Sequence, residues 1–505
     1  MSIRSFVTSV LAGALMAAGT MSGAVAPAGA TASYPLVPPA PVCGVTNLLL
    51  GPVLPPAGAI VVGPGDNSSV NWRTAGATYW LAPGVHTLAP TAFAQIIPGD
   101  NSTFTGGPAA ILDGQSINHS AFGQTAKGVT IKFLTIQHFA ALQNTAVINN
   151  AGSSNWTIQH NTLQDNSGAG VALGNNSVVS WNCIDSNGQY GFKAYKAQVP
   201  GKASITNVTL DHNEISNNNT DDWEHKVPGC GCSGGGKLWD TQGAKITNNW
   251  VHDNKNVGLW ADTDDIDVLI SGNYIEDNDS EGIFYEISYN AAIRNNTLKR
   301  NAIVKGQAFA ATGNGFPVAA IYISESGGDS RLSHVRTGTS LLAVSGNYLE
   351  DNWGGVTLWE SANRFCNSPT NASKGYCTRV GPASLAACSA PTIDAEPYYS
   401  DCRWKTQNVS VSNNKLHMDP AAVGDCNPRY CGRMALLSQW GTAPTWSPYK
   451  GKVIEDAVTY SQNNQFANNS YFGTWQFVAH DTAHMYSFAA WQAAPFDQDG
   501  GSTLS

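Results

Sequence analysis

The sequence predicts an all-β solenoid, in which the chain coils into stacked rungs of short parallel strands. The main observation is a phrase, apolar-x-x-Asn-x-apolar-x-x-Asn, that occurs seven times in full and once, in the weaker copy Val411-Asn414-Leu416, without its second Asn. The first asparagines of the eight copies are Asn161, Asn182, Asn213, Asn249, Asn273, Asn296, Asn347 and Asn414. The shortest intervals are 21, 23 and 24 residues, a period typical of stacked repeats. In addition, each copy holds short β-branched runs separated by Asn or Gly, too short for helices.

The composition agrees with many strands joined by tight turns. The 505-residue chain is only 12% charged and contains 51 glycines. Glycine and asparagine tolerate the left-handed backbone conformation that tight turns need. The net charge is −9, without any basic run, which argues against nucleic acid as a partner.

The N-terminal segment is typical of a secretory signal peptide, which we place at residues 1–32. Arg4 supplies positive charge, an apolar stretch follows, and small residues near Ala30 offer a cleavage site. No later segment is apolar enough to span a bilayer, so we expect a secreted, extracellular protein without a membrane partner. The ten cysteines suit that oxidising compartment.

The domain organisation follows from where the repeats start and stop. Residues 33–77 are rich in Pro and Gly and predict a leader, and residues 78–430 hold the solenoid. Residues 361–405 form a cysteine-rich insertion that we expect disulfides to staple, in a pairing that stays open. Residues 431–505 predict a C-terminal cap, because an uncovered solenoid end invites aggregation.

The recurring asparagines predict a structural ladder. An Asn at a fixed turn can adopt the left-handed conformation and hydrogen-bond its neighbour one rung away. Stacked turns therefore explain these residues, and we assign them no catalytic role.

Three further phrases carry a resemblance to known proteins. They are Ala110-Ile111-Leu112-Asp113-Gly114, Gly258-Leu259-Trp260-Ala261-Asp262, and the segment from Gly282 to Tyr289. Together with the Asn repeats and the signal peptide, they resemble secreted proteins of the pectate-lyase-like superfamily, over about residues 78–420. The last two phrases also resemble a bacterial subgroup, most of whose members have no assigned activity. The resemblance implies a right-handed parallel β-helix of about ten or more rungs. The superfamily contains lyases, glycoside hydrolases, esterases, epimerases and phage spikes, so the fold does not choose an activity.

The repeat also supplies a register for locating a site. After the second Asn of several copies, a Gly opens a strand, and residues two and four positions later should point outward. Those positions carry four aromatic residues where small polar ones are usual: Tyr195, Trp260, Phe284 and Trp359. Exposed rings on one sheet face suit sugar rings, so we interpret them as substrate-binding residues. In the alternative interpretation, an insertion or the cap packs over them.

Three successive rungs carry a carboxylate at the outward position four residues after the Gly. These residues are Asp240, counted from Gly236, and then Asp262 and Glu286. Parallel strands lie about 4.8 Å apart, so stacked carboxylates repel and the pKa of at least one should rise. This predicts catalysis by Asp262 and Glu286 as acid and base or nucleophile, tuned by Asp240 or Asp264. Carboxylates on adjacent rungs, about 5 Å apart, match a retaining glycosidase, and a pair that skips a rung matches an inverting one. The assignment requires that the three share one exposed column.

A polysaccharide lyase would need different groups. It abstracts a proton beside a uronate carboxylate and neutralises that carboxylate with a cation. The candidates are Lys193, Lys237, His252 and His225. In the alternative interpretation, His252 is only an exposed turn residue. Lys237 has core parity when counted from Gly236, which suggests a bulge that turns it toward the site. Ca²⁺ bound by the aspartates is possible here, although the spacing matches no fixed calcium loop.

The leading interpretation is a secreted carbohydrate-active enzyme that cleaves a polysaccharide as a glycoside hydrolase, with no cofactor required. One alternative is a Ca²⁺-assisted polysaccharide lyase. The other is a non-catalytic glycan-binding or surface protein, whose carboxylates and rings only bind.

Overall fold

The chain forms a parallel β-helix with three long sheets. The computed structural model describes residues 34–123, 126–149, 152–195, 205–329, 341–361, 364, 385–388, 405–424, 426–437 and 456–505. Each rung passes through sheet 1, then sheet 2, then sheet 3, as in Thr157–Gln159, Thr162–Gln164 and Ala169–Ala172. The strand pairings are parallel except for the last one in sheet 3. The predicted all-β parallel coil is confirmed.

Sheet 1 has 15 strands among the described residues. Thirteen follow one another along the coil: β1 (Ile60–Val62), β3 (Thr78–Leu81), β5 (Thr103–Gly106), β7 (Thr130–Lys132), β10 (Thr157–Gln159), β13 (Val178–Ser180), β17 (Thr209–Asp211), β21 (Lys245–Thr247), β24 (Ile266–Ser271), β27 (Tyr289–Arg294), β30 (Leu342–Ser345), β33 (Val409–Ser412) and β36 (Gln465–Ala467). The short strands β16 (Ile205–Thr206) and β20 (Thr241–Gln242) pair beside them.

Sheet 2 has 14 strands in the same part of the chain. They are β2 (Gly65–Asp66), β4 (Gly84–Thr87), β6 (Ala110–Asp113), β8 (Thr135–Gln137), β11 (Thr162–Gln164), β14 (Cys183–Asp185), β18 (Glu214–Ser216), β22 (Trp250–His252), β25 (Tyr274–Glu276), β28 (Thr297–Lys299), β31 (Tyr348–Glu350), β34 (Lys415–Met418), β37 (Ser470–Gly473) and β40 (Thr503–Leu504).

Sheet 3, with 11 described strands, carries the candidate site. Its strands are β9 (Ala146–Asn149), β12 (Ala169–Ala172), β15 (Tyr190–Ala194), β19 (Gly234–Leu238), β23 (Val257–Asp262), β26 (Ile283–Glu286), β29 (Ile321–Ser324), β32 (Val356–Trp359), β35 (Arg433–Leu437), β38 (Gln476–His480) and β39 (Met485–Tyr486). The described helices are short: α1 (Thr46–Leu49), α2 (Trp223–Lys226), α3 (Ile303–Ala311), α4 (Leu385–Cys388), α5 (Pro420–Val423), α6 (Phe488–Gln492) and a π-helix (Ala457–Ser461). None of the helices in the described ranges is long and apolar enough to cross a membrane.

The core lies inside the coil, where alternate residues of each strand point. Ile158, Leu163 and Val171 belong to the three sheets of one rung, and each is fully buried. Burial of apolar side chains contributes about 25 cal/mol per Å², so a column of such residues on every rung stabilises the stack.

The asparagine ladder exists, and it is longer than predicted. The Asn161 side-chain amide donates to Asn182 Oδ1 at 3.0 Å, and the same bond recurs on each rung up to Asn414. Asn414 donates in turn to Asn469, a further member. A second ladder runs from Asn166 to Asn352.

The prediction that the ladder asparagines themselves adopt the left-handed conformation was wrong. The residue before each ladder Asn does so, for example His160 with φ 55° and Trp181 with φ 56°. The turn at that residue frees the Asn side chain to point inward and bond along the stack.

The coil is longer at both ends than the repeats predict. Strands β1 and β2 pair with β3 and β4, so the first rung lies in the segment 33–77 that was predicted as a leader. Strands β35 to β38 continue the three sheets within the predicted cap. A smaller cap includes α6, where buried Trp491 donates to Asp499 Oδ2 at 2.8 Å. The predicted signal peptide and most of the insertion 361–405 lie outside the described residues.

The segment before the first rung is tied to sheet 2. A disulfide joins Cys43 to Cys183 in β14, and the backbone N–H of Val42 donates to Glu214 Oε2 at 2.6 Å. Two further described disulfides are local, Cys230–Cys232 and Cys426–Cys431.

Candidate functional site

Two columns of side chains cover the outer face of sheet 3. The aromatic column contains Lys237, Trp260, Phe284 and Tyr322, which are paired rung by rung. The carboxylate column lies two residues further along each strand, where Asp262 pairs with Glu286, then Ser324 and Trp359. Asp262 and Glu286 therefore stand on adjacent rungs, as predicted.

Asp240 does not belong to the carboxylate column, and Asp262 and Glu286 are buried rather than exposed. The predicted exposed column of three carboxylates is therefore wrong, and the site assignment fails in that form. The sequence has three consecutive glycines, and Gly235, rather than Gly236, is level with Gly258. A Cβ on Gly235 would lie 2.5 Å from the Gly258 carbonyl oxygen, so this position requires glycine. With this register Trp239 takes the rung position of Asp262, and Asp240 lies in the following turn with φ 51°.

The same register explains Lys237 without a bulge. Lys237 pairs with Trp260 and shares its outward direction. Its ammonium lies 2.6 Å from Asp262 Oδ2 and 3.8 Å from the centre of the Trp260 ring. The core parity assigned to Lys237 was an error of one residue, and the side chain does lie in the candidate site.

The two central carboxylates have different surroundings. Asp262 pairs with Lys237 and accepts from the Thr263 hydroxyl at 2.8 Å. Glu286 accepts from the Trp260 indole N–H at 3.1 Å and contacts the Arg364 guanidinium. Burial raises the pKa of Glu286 above its ordinary value, Arg364 opposes that rise, and nearby Asp262 adds to it.

A third carboxylate completes the network. Glu325 Oε2 lies 3.2 Å from Arg364 Nε and accepts from the Ser324 hydroxyl at 2.5 Å. Burial raises the pKa of Glu325 to about 7. Asp262 pairs with Lys237, whereas Glu286 and Glu325 share one cation, Arg364. Two buried carboxylates beside one guanidinium favour the retention of a proton between Glu286 and Glu325.

The pKa of Glu325 predicts how stability changes with pH. The pKa is raised from 4.5 to about 7, so between these values the folded protein holds a proton that the unfolded chain has released. That stabilisation is full below the unfolded pKa and is lost as pH rises through about 7. The Tm of the wild type relative to that of Glu325→Gln should therefore fall between about pH 5 and about pH 8. A pH-independent difference in a thermal-shift series would contradict this result.

The predicted aromatic residues are present on the outer face, but three of them are not exposed as expected. Trp260 stacks on Phe284 at 5.1 Å, and Phe284 stacks on Tyr322 at 4.6 Å, both nearly parallel. Trp260 and Phe284 are buried and Trp359 is half-buried. Adjacent rungs bring the rings to stacking distance, so their faces pack against one another. Only their edges remain available to a ligand.

Other parts of the chain pack against this column. Phe316, from the segment after α3, meets Tyr322 and Trp359 edge to face, each at 5.5 Å. Gly231 lies beside the Trp260 ring, close enough that a Cβ there would be 3.1 Å from Cη2 of the indole. Inserted segments thus pack against the aromatic column at Trp260 and Tyr322, as the alternative interpretation expected.

A cleft of about 930 Å³ gives access to the carboxylates. Its lining includes Asp262, Glu286, Arg364 and the edges of the aromatic column, together with residues of α2 and α3. Lys305 of α3 holds the helix in place through Glu281, with contacts of 2.9 and 3.0 Å. The cleft is large enough for a ligand of several rings.

A smaller pocket of about 270 Å³ lies beside the cleft, at the rungs that precede Trp260. Its lining includes Lys193, Tyr195, Lys237 and Trp239. Tyr195 is 41% exposed and meets Trp239 edge to face at 5.6 Å. We name this the lysine pocket. Among the four predicted aromatic residues, Tyr195 in this pocket is exposed, as the sequence predicted for all four.

Four predicted residues line neither the cleft nor the lysine pocket: Asp240, Asp264, Trp359 and His252. His252 belongs to β22 of sheet 2, where it lies 3.4 Å from Glu214 and 2.7 Å from Asp253. Asp264 sits in a turn with φ 61°, and its backbone N–H donates to the Ile287 carbonyl at 2.9 Å. The placement of His252 at this site was therefore wrong, since its strand faces another side of the coil.

Four residues of the site were missed by the sequence analysis. Trp239 was missed because counting began at the wrong one of three consecutive glycines. Tyr322 was missed because its strand follows Ala320 rather than a Gly. Glu325 and Arg364 carry no repeat signal in the sequence.

One group of potential metal ligands occurs among the described residues, Glu224 with Cys230 and Cys232. The two cysteines form a disulfide, which removes the thiolates that a metal would need. This group therefore gives no support to a metal centre.

The right-handed β-helix region is the family model that matches this sequence, over residues 146–333. The chain thus has the right-handed parallel β-helix fold that the sequence predicted. No curated protein sequence matches it.

Several solved structures resemble the chain at low identity. A mannuronic acid specific polysaccharide family 6 lyase from human gut microbiota has 10% identity and a TM-score of 0.46, over 88% of this chain and 82% of the lyase. An α-1,3-glucanase from Streptomyces thermodiastaticus has 14% identity and a TM-score of 0.42, over 89% and 70%. A mannuronan C-5 epimerase A-module from Azotobacter vinelandii has 12% identity and a TM-score of 0.38, over 71% and 87%. These values carry no residue correspondence.

Proposed function

We propose that this protein cleaves the glycosidic bonds of a polysaccharide by hydrolysis, with Glu286 and Asp262 as the catalytic pair. One observation carries the proposal: the two carboxylates pair on adjacent rungs and line a large cleft, in different electrostatic surroundings. Two carboxylates with different protonation states are what glycoside hydrolysis requires.

The surroundings suggest a role for each residue. Glu286, whose pKa is raised, would donate a proton to the leaving oxygen. Asp262, ion-paired with Lys237, would attack the anomeric carbon as the nucleophile. Adjacent strands are about 4.8 Å apart, close to the carboxylate separation of retaining enzymes, so we propose that the anomeric configuration is retained.

A polysaccharide lyase is the second candidate, and the lysines favour it. Burial and the neighbouring Lys237 lower the pKa of Lys193 to about 8, within reach of a general base. Asp262 and Glu286 already contact protein cations. That pairing gives no support to Ca²⁺ on the same oxygens, so we propose no metal requirement.

We also propose that the protein acts outside the cell. The disulfides Cys43–Cys183, Cys230–Cys232 and Cys426–Cys431 support an oxidising compartment.

The experiment that tests the function is a screen of purified polysaccharides. A hydrolase releases reducing ends without new ultraviolet absorbance. A lyase produces a conjugated uronate that absorbs near about 235 nm, because elimination follows proton abstraction. For a cleaved substrate, NMR of the first-formed anomer should show retention. Binding without either product would replace the proposal with a glycan-binding role.

A further inference from the structure

We infer that the lysine pocket is a subsite for an anionic sugar, one that carries a carboxylate or a sulfate group, so that the substrate is an acidic polysaccharide. This inference rests on the proposed function and names its substrate class.

The first support is a buried ammonium that lacks an acidic partner. Lys193 is only 7% exposed, and its ammonium donates to the Asn144 carbonyl oxygen. Within the part of the chain that the structure describes, no carboxylate pairs with Lys193. A buried ammonium is costly unless it is paired, and its three donors exceed one carbonyl. An anion that enters the pocket would supply the missing partner.

The second support is that Lys193 and Lys237 occupy paired positions on adjacent strands. Strand spacing brings such residues to about 4.8 Å at the backbone, where like charges destabilise each other. Only Lys237 is compensated, by Asp262 on its other side. The pocket therefore carries net positive charge from Lys193, and a bound anion would relieve the repulsion.

The third support is aromatic and indicates a sugar rather than a free inorganic ion. The Lys193 ammonium lies 5.4 Å from the centre of the Tyr195 ring, and the Lys237 ammonium lies 5.2 Å from that of Trp239. Tyr195 is the most exposed of the rings at the site. A ring beside an ammonium can pack against a sugar while the ammonium binds its acidic substituent.

The position of the pocket relative to Asp262 indicates which sugar of the substrate would carry the charge. Lys193 lies one rung before Lys237 and two before Trp260, whose strand carries Asp262. Two rungs correspond to about 10 Å along the coil. The charged sugar would thus be a neighbour of the sugar at the cleaved bond.

The test compares charged and neutral forms of the same polymers. Affinity electrophoresis of the Glu286→Gln protein would measure its retention by polygalacturonate, alginate, hyaluronan and chondroitin sulfate. Each polymer would be compared with its carboxyl-reduced form, which for chondroitin sulfate is also desulfated. We expect retention by at least one acidic polymer and about tenfold weaker retention by its neutral form, a difference that one charged contact can supply. Adding Lys193→Met to this protein should weaken retention by the acidic polymer about tenfold and leave retention by its neutral form unchanged. Lys245→Met, at an exposed position on β21, is the matched control.

Three binding results would overturn the inference. They are equal retention by acidic and neutral polymers, no retention by any acidic polymer, and unchanged retention after Lys193→Met. Kinetics separate a subsite from catalysis. If Lys193 forms a subsite, Lys193→Met raises KM for the acidic polymer, whereas a loss of kcat with retained binding would make Lys193 a base and overturn the subsite. Charge-dependent retention by a wild-type protein that cleaves none of the polymers would leave the subsite intact and refute the proposed hydrolysis.

Discussion

Replacing Glu286 with Gln should reduce the rate of polysaccharide cleavage by about a thousandfold or more, and Asp262→Asn should do the same. Glutamine keeps the hydrogen-bond geometry at Trp260 but cannot protonate the leaving oxygen. Asparagine cannot form the covalent intermediate that a retaining mechanism requires. Initial rates of reducing-end release on the polymer found in the screen measure both effects.

The two variants should also differ in a way that a structural role would not produce. In Glu286→Ala, azide can occupy the space of the lost carboxylate and attack the sugar bound to Asp262, which restores turnover of substrates with good leaving groups. Asp262→Ala has no covalent intermediate, so azide would attack the substrate directly from the opposite face and invert the product. Near wild-type activity in either variant, with an unchanged Tm, would refute the assignment of that residue.

The second large effect is expected on stability, from Asn273→Ala in the middle of the ladder. The Asn273 side chain makes four buried hydrogen bonds: it donates to the Ile246 carbonyl and to Asn296 Oδ1, and it accepts from the backbone and side chain of Asn249. Alanine would leave buried donors and an acceptor unpaired, at about 1–3 kcal/mol for each group. We expect a loss of about 4 kcal/mol or more in the free energy of unfolding, measured by chemical denaturation.

Lys245→Ala is the control for this measurement, because Lys245 is exposed on the same part of the coil. Its effect should stay within about 0.5 kcal/mol. If Asn273→Ala costs no more than this control, the ladder does not stabilise the fold, and the asparagines would need another explanation.

The candidate site could be read from the sequence only where the repeat was regular. Asp262 and Glu286 each follow a single Gly by four residues, so counting placed them correctly on adjacent rungs. Three consecutive glycines precede Lys237, and counting from the wrong one placed Asp240 in the column and Lys237 in the core. A slip of one residue reverses the direction of every side chain in a strand, because the period is two.

The burial of the rings could not be read from the sequence at all. Parity correctly indicated that Trp260 and Phe284 point outward, but outward is not the same as exposed. Stacking between rungs and the packing of Phe316 depend on how an inserted segment returns to the sheet. Such contacts do not recur from rung to rung, so they leave no periodic pattern in the sequence.

The sequence by itself determined the coil, its Asn ladder and the adjacent positions of Asp262 and Glu286. These features repeat from rung to rung because each rung bonds to the next through the same backbone and side-chain groups, so they leave a period in the chain. The tertiary structure alone decided the chemistry around the pair. Arg364 reaches Glu286 across 78 residues, and Lys237 reaches Asp262 across a strand boundary. Such contacts join parts of the chain that share no repeat, and the electrostatic surroundings of a carboxylate depend on what lies within a few ångströms of it rather than on its place in the sequence.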